Sequence, residues 1–173
     1  MDFKSILSVI GKTKCLWDSF MTIKSTFEEC LSIGTNAMST LTSSLKDEKF
    51  TEQLEAAVNL IHEINGRLVI SGMGKSGIIG KKLVATFAST GTPALFLHPA
   101  EASHGDLGMV CKDDVLLLMS FSGESRELVD IIRYGKRFGI PIIAFTANAN
   151  STLGKAADIL LPVSYTHLTL PTN

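Results

Sequence analysis

The sequence predicts an α/β fold of three layers, with helices on both faces of a five-stranded parallel sheet and one or two helices ahead of it. Three observations predict it. Short apolar runs recur along the chain from residue 67 onward: RLVIS at 67–71, ALFL at 94–97, VLLLM at 115–119, PIIAFT at 141–146 and ILLPV at 159–163. Stretches of helical spacing separate several of them, as crossovers between parallel strands require. Polar and apolar residues do not alternate within the runs, so the strands are expected to be covered on both faces.

Composition narrows the classes. The chain has 173 residues, 45% of them hydrophobic and 19% charged, which is the balance of a folded domain with a sizeable core. A net charge of −1 leaves no electrostatic footprint for nucleic acid or an anionic membrane, and neither is expected as a partner. Cys15, Cys30 and Cys111 are odd in number and form no C-x-x-C pair, so no disulfide framework is expected and a cytoplasmic location fits. The apolar runs fall well short of the roughly 20 residues of a membrane span.

The elements follow in order. Residues 1–20 read as an extension or docking arm: Phe3, Ile6, Leu7 and Ile10 have helical spacing, but Gly11 and the lysines interrupt it. The sheet domain is expected over 21–163. Leu31, Gly34, Met38, Leu41 and Leu45 step by three and four and predict an amphipathic helix suited to subunit contact. Asp47–Lys49 breaks the pattern. Phe50, Leu54, Ala57, Val58 and Ile61 predict a second helix, with Asn65–Gly66 as its C-cap and turn. After the first strand, GMGKSG at 72–77 forms a loop. A helix is expected over 78–89, with Ile79, Leu83, Val84 and Phe87 inward. Gly91-Thr92-Pro93 turns into the second strand, and 98–106 loops beyond it. The third strand runs into Ser120-Phe-Ser-Gly-Glu-Ser125. A helix over 127–138 is capped by Gly139, a short helix follows at 151–157, and the fifth strand closes the pattern.

Ligands of such sheets bind at the carboxyl ends of the strands, which here are 72–77, 98–106 and 120–127. The serine loop is the leading candidate. Ser120, Ser122 and Ser125 bring hydroxyl donors, Gly123 permits close backbone approach, and the helix start that follows favours an anion. A plain capped helix would need only one such hydroxyl. GMGKSG imitates two nucleotide motifs and satisfies neither. The dinucleotide fingerprint wants an acidic residue ending the second strand, where His98 stands, and a Walker loop wants glycine where Val69 stands. Lys75 remains as a cation on the same rim. His98 and His104, with Glu101 and Asp106, allow either proton transfer or a divalent metal, although their spacing matches no standard zinc pattern. Glu127 is either a carboxylate favoured by the helix dipole or a group facing the substrate.

With GMGKSG, STGTP, HPAEASHGDLGM and SFSGESREL in view, residues 27–163 resemble the SIS (sugar isomerase) domain of D-arabinose-5-phosphate isomerases. The resemblance implies a flavodoxin-like sheet and cytoplasmic interconversion of D-ribulose 5-phosphate and D-arabinose 5-phosphate for Kdo and lipopolysaccharide or capsule synthesis. It implies a homo-oligomer, a tetramer in the full-length family. It implies Lys75, Glu127 and His104 as catalytic residues. For substrate binding it implies Gly74, Ser76, Gly91, Thr92, His98, His104, Ser120, Ser122, Gly123 and Ser125. No cofactor is required, and zinc would inhibit through His98. Family chains continue past the fifth strand with a further Glu and His and two CBS modules. Ser164–Asn173 (SYTHLTLPTN) matches none of this and is expected to be a non-native tail, so His167 is not the family's histidine and the chain itself is expected to be nearly inactive. Two other functions remain: a non-catalytic sugar-phosphate-binding regulator, and a nucleotide-binding module.

Overall fold

The structure, a computed structural model, describes residues 23–163. The expectations for 1–20, 164–173, Cys15 and His167 lie outside the described residues. The chain divides into two compact units between Thr42 and Ser43. The first contributes most of α1 (Ile23–Ser44), a helix whose threonines 35, 40 and 42 return their hydroxyls to the carbonyls of Leu31, Asn36 and Met38. Phe27, Leu31, Met38 and Leu41 form its exposed apolar stripe.

The second unit is the sheet domain. Asp47 caps α2 (Glu48–His62) by accepting the Lys49 N–H. Then come β1 (Leu68–Gly72), α3 (Gly74–Ser89), β2 (Ala94–Phe96), α4 (Pro99–Ala102), a 3-10 turn at Asp106–Met109 and β3 (Val115–Met119). A second 3-10 turn at Arg126–Leu128 leads into α5 (Val129–Phe138), followed by β4 (Ile142–Thr146), α6 (Thr152–Ala156) and β5 (Ile159–Pro162). All strands pair in parallel in the order β2-β1-β3-β4-β5, the flavodoxin-like order, whose switch point lies between β1 and β3.

Successive strand residues serve opposite faces. Leu68, Ile70, Val115, Leu117 and Ile143 pack with Ala57 of α2 and with Leu83, Val84 and Phe87 of α3. Val69, Leu116, Leu118, Ile142 and Ala144 pack with Leu97, Leu128, Ile131 and Leu153 on the other side. Each fully buried Leu or Ile contributes about 1.5–3 kcal/mol, and strands buried on both faces supply two such layers. Glycines let the covering helices lie close. A Cβ on Gly80 of α3 would stand 3.0 Å from the Phe96 ring, and one on Gly135 of α5 would stand 2.7 Å from a Leu116 methyl.

Some expectations shift. α3 begins at Gly74, four residues earlier than expected, so Lys75 and Ser76 lie in its first turn. Ile79, expected inward, is 56% exposed, because Gly80 takes the place against the sheet. Val58 of the second stripe is also exposed. Gly66 does not cap α2, which ends at His62 with Glu63 as its C-cap; it lies where a side chain would strike the Asp113 carbonyl and the Asp114 carboxylate. The helix expected over 127–138 starts as the 3-10 turn and becomes α-helical only at Val129.

At the β5 margin, Val163 donates to the Thr146 carbonyl, so alternate residues of the strand face β4 and Leu160 and Pro162 face outward. The Leu160 N–H is taken by Gln53 Oε1 of α2 at 3.1 Å.

Candidate functional site at the strand ends

The site is built by register. Gly72 pairs with Met119 as the last rung between β1 and β3. Met73-Gly74-Lys75 and Ser120-Phe121-Ser122 therefore leave the sheet side by side at the switch point. His98 arrives from the neighbouring strand. Leu97 N–H donates to the Ile70 carbonyl, and the buried Ser71 hydroxyl donates to the Leu97 carbonyl at 2.6 Å. Ser71 thus fixes the backbone that carries His98. The Nδ1 of His98 is buried and has no hydrogen-bond partner.

The loop with His104 reaches the turn with Glu127 through a different tie. The Ser103 hydroxyl donates to Asp130 Oδ2 at 2.8 Å, and α4 packs against both the Arg126–Leu128 turn and α5. His104 and Glu127 are both exposed beside this junction, as is Lys75 on its own turn. Gly91 and Thr92 do not join them. They precede β2, and Pro93 beside them accepts the N–H of Leu68 at the start of β1. That is the opposite edge of the sheet, so within one chain these two residues stand apart from the rim.

The serine loop is internally bonded. Ser120 is buried; its hydroxyl accepts the Gly123 N–H at 3.1 Å and lies 2.8 Å from the Ser125 hydroxyl. Ser122 is exposed and accepts the Glu124 N–H at 3.2 Å. Ser125 occupies the N-cap position of the 3-10 turn, yet its side chain makes no capping bond. The simple capping role does not describe it. A hydroxyl that accepts an N–H keeps its own proton to donate, so Ser122 retains a donor for an anion. When Ser120 donates to Ser125, so does Ser125. Gly123, at φ 70°, sits where a Cβ would overlap the Ser151 side chain.

Residues that the sequence reading missed hold this loop in place. The Phe121 carbonyl accepts from Ala147 N–H at 3.0 Å and from Thr146 Oγ1 at 3.1 Å. The Gly123 carbonyl accepts Leu153 N–H at 3.0 Å. Glu124 Oε1 and Oε2 accept from Thr152 N–H and Thr152 Oγ1 at 2.8 and 2.7 Å. The Thr152 hydroxyl, then its amide, then the charge of Lys155 hold the Glu124 carboxyl below the usual carboxylate range. The only signal in the sequence was the small polar run Asn148–Thr152 after the fourth strand.

Among the described residues, no three His, Cys, Asp or Glu side chains are grouped so as to hold a metal ion. No helix among them is long and apolar enough to cross a membrane.

A family model described as the SIS domain matches residues 60–168. The chain is 50% identical over 121 residues to the arabinose 5-phosphate isomerase KpsF of Escherichia coli, covering 70% of this chain and 38% of that one. It is 51% identical over 117 residues to the arabinose 5-phosphate isomerase KdsD of Pseudomonas aeruginosa, covering 68% of this chain and 36% of that one. A solved structure of an Escherichia coli CFT073 protein in complex with arabinose 5-phosphate matches with a TM-score of 0.71 at 36% identity, covering 83% of this chain and 77% of that one. The chain spans about two fifths of the length of the curated relatives it matches.

Proposed function

The chain belongs to the SIS-domain family, and from that premise we propose that the strand-end rim binds a pentose 5-phosphate and that the whole protein interconverts D-arabinose 5-phosphate and D-ribulose 5-phosphate. The observation that carries the reading is the shared rung Gly72–Met119, from which the Lys75 turn and the serine loop both depart. Two relatives about half identical to the chain are arabinose 5-phosphate isomerases, and arabinose 5-phosphate is bound in a structural neighbour. Both support this choice of substrate.

The chemistry asks for three groups. An aldose–ketose shift takes a proton from C2 and returns it to C1 through a cis-enediol, while the carbonyl oxygen gains negative charge. It needs a base near neutral pKa, a donor or cation for the oxyanion, and a grip on the phosphoryl group. In this reading Ser120, Ser122, Ser125 and the Gly123 backbone hold the phosphoryl oxygens. Gly74 and Ser76 border the sugar, and Lys75 stabilises the oxyanion. His104 or Glu127 moves the proton, since the Ser103–Asp130 bond draws their loops together. No redox cofactor enters this chemistry. Zinc held by His98 remains part of the proposal as an inhibitor; the unpartnered Nδ1 supports it, whereas the lack of a three-ligand group among the described residues does not. Gly91 and Thr92 would meet a substrate only from another copy of the chain. The exposed stripe of α1 supports a homo-oligomer, and the free cysteines Cys30 and Cys111 support a cytoplasmic location.

Calorimetric titration of the 173-residue chain with arabinose 5-phosphate tests binding, and ribulose 5-phosphate formation by a protein carrying the chain tests turnover. Saturable binding and turnover are expected. Lys75→Ala should lower kcat by about a hundredfold, the scale of one lost oxyanion donor. Binding with no turnover in either protein would favour a sugar-phosphate-sensing role. No binding would overturn the reading.

A further inference from the structure

A carboxylate is an odd component of a loop that grips an anion. Glu124 stands between Gly123 and Ser125, two residues from Ser122, and a free, ionised side chain there would repel a phosphoryl group. Its carboxylate is instead drawn away to Thr152, where a backbone amide and a hydroxyl both donate to it. Thr152 opens α6, so its amide is one of the orphan donors of a helix start. The backbone of Glu124 meanwhile donates to Ser122 Oγ. That bond uses a lone pair of the hydroxyl and leaves its proton to point elsewhere.

We infer that Glu124 is a positioning residue: its clamp on Thr152 fixes the amide that orients the Ser122 hydroxyl and keeps a negative charge off the phosphoryl site. The inference rests on reading the serine loop as that site. The clamp is one of a series. Phe121, Gly123 and Glu124 are each held by the segment 146–153, so β4 and α6 act as the mould in which the loop is cast.

The clamp and the charge separate by substitution. Glu124→Gln removes the charge but still accepts the Thr152 N–H, and its amide can donate to Thr152 Oγ1. Glu124→Ala removes both bonds. Thr152→Val removes one donor and leaves the carboxylate half-held. Asp158→Ala is the control for a merely structural role. Asp158 accepts from Ile142 N–H and Lys136 Nζ at 2.9 and 2.8 Å, at the strand-start edge.

The test is arabinose 5-phosphate affinity by calorimetry alongside the thermal midpoint of each variant. Glu124→Ala and Thr152→Val should weaken binding by about tenfold, the scale of a hydrogen bond to a charged group. Glu124→Gln should stay within about twofold of the parent, because the clamp persists. Asp158→Ala should lower the midpoint with affinity unchanged. Unaltered affinity in both Glu124→Ala and Thr152→Val overturns the inference and leaves the site reading standing, as does equal weakening in Asp158→Ala. If the parent chain binds no sugar phosphate, both fall together.

Discussion

Ser120, Ser122 and Ser125 look alike in the sequence and have three different situations in the structure. Ser120 is a buried organiser, Ser125 its half-buried partner, and Ser122 the exposed hydroxyl steered by a neighbouring amide. Gly123 decides whether this arrangement exists. At φ 70° an L side chain is strained, and its Cβ would overlap Ser151, whose hydroxyl donates to the Asn148 carbonyl and accepts the Gly154 N–H. Gly123→Ala should therefore cost about 3 kcal/mol, combining left-handed strain with overpacking, and should abolish sugar-phosphate binding. Chemical denaturation and titration of the same sample check both. The presence of the loop was legible from its serines and glycine, because small hydroxylated residues after an apolar run have few other uses. Its supports were not legible. Thr146, Ser151, Thr152 and the carboxylate of Glu124 act across a strand crossover, and no local pattern announces which distant amide a side chain will find.

Elements were read well where burial sets the pattern and poorly where a glycine does. The five strands were found because a strand covered on both faces must be apolar at every position. The start of α3 was missed because Gly74 and Gly77 look like loop residues, whereas the helix uses Gly77, as it uses Gly80 further on, to approach the sheet. The difference between a glycine that packs and one that does not is measurable. Nothing lies within 4 Å of a Cβ on Gly34 in α1, so Gly34→Ala should gain about 1 kcal/mol of helix propensity. Gly135→Val would drive α5 off Leu116 and Ile142 and should cost about 2 kcal/mol. Opposite shifts of the thermal midpoint are the expected result; a loss in both would mean that α1 does not hold its helical form in solution.

For the whole molecule, topology does what composition cannot. A net charge of −1 gives no direction to an anionic ligand, but the order β2-β1-β3-β4-β5 gathers the Lys75 turn, His98 and the serine loop on one edge. It sends Gly91 and Thr92 to the other edge. The family resemblance named those two as substrate-binding without saying from which copy. The structure separates them, and the proposed oligomer is the way they could still serve. At β5, Leu160 has its amide occupied by Gln53, and Pro162 has no amide to offer. A strand from another molecule would find carbonyls along that border but no donor, so it could not complete a ladder there. Gln53→Ala reopens one donor and should speed fibrillar association at elevated temperature, followed by light scattering and dye binding. A glutamine on a covering helix and a proline in an edge strand thus keep this sheet from growing past β5.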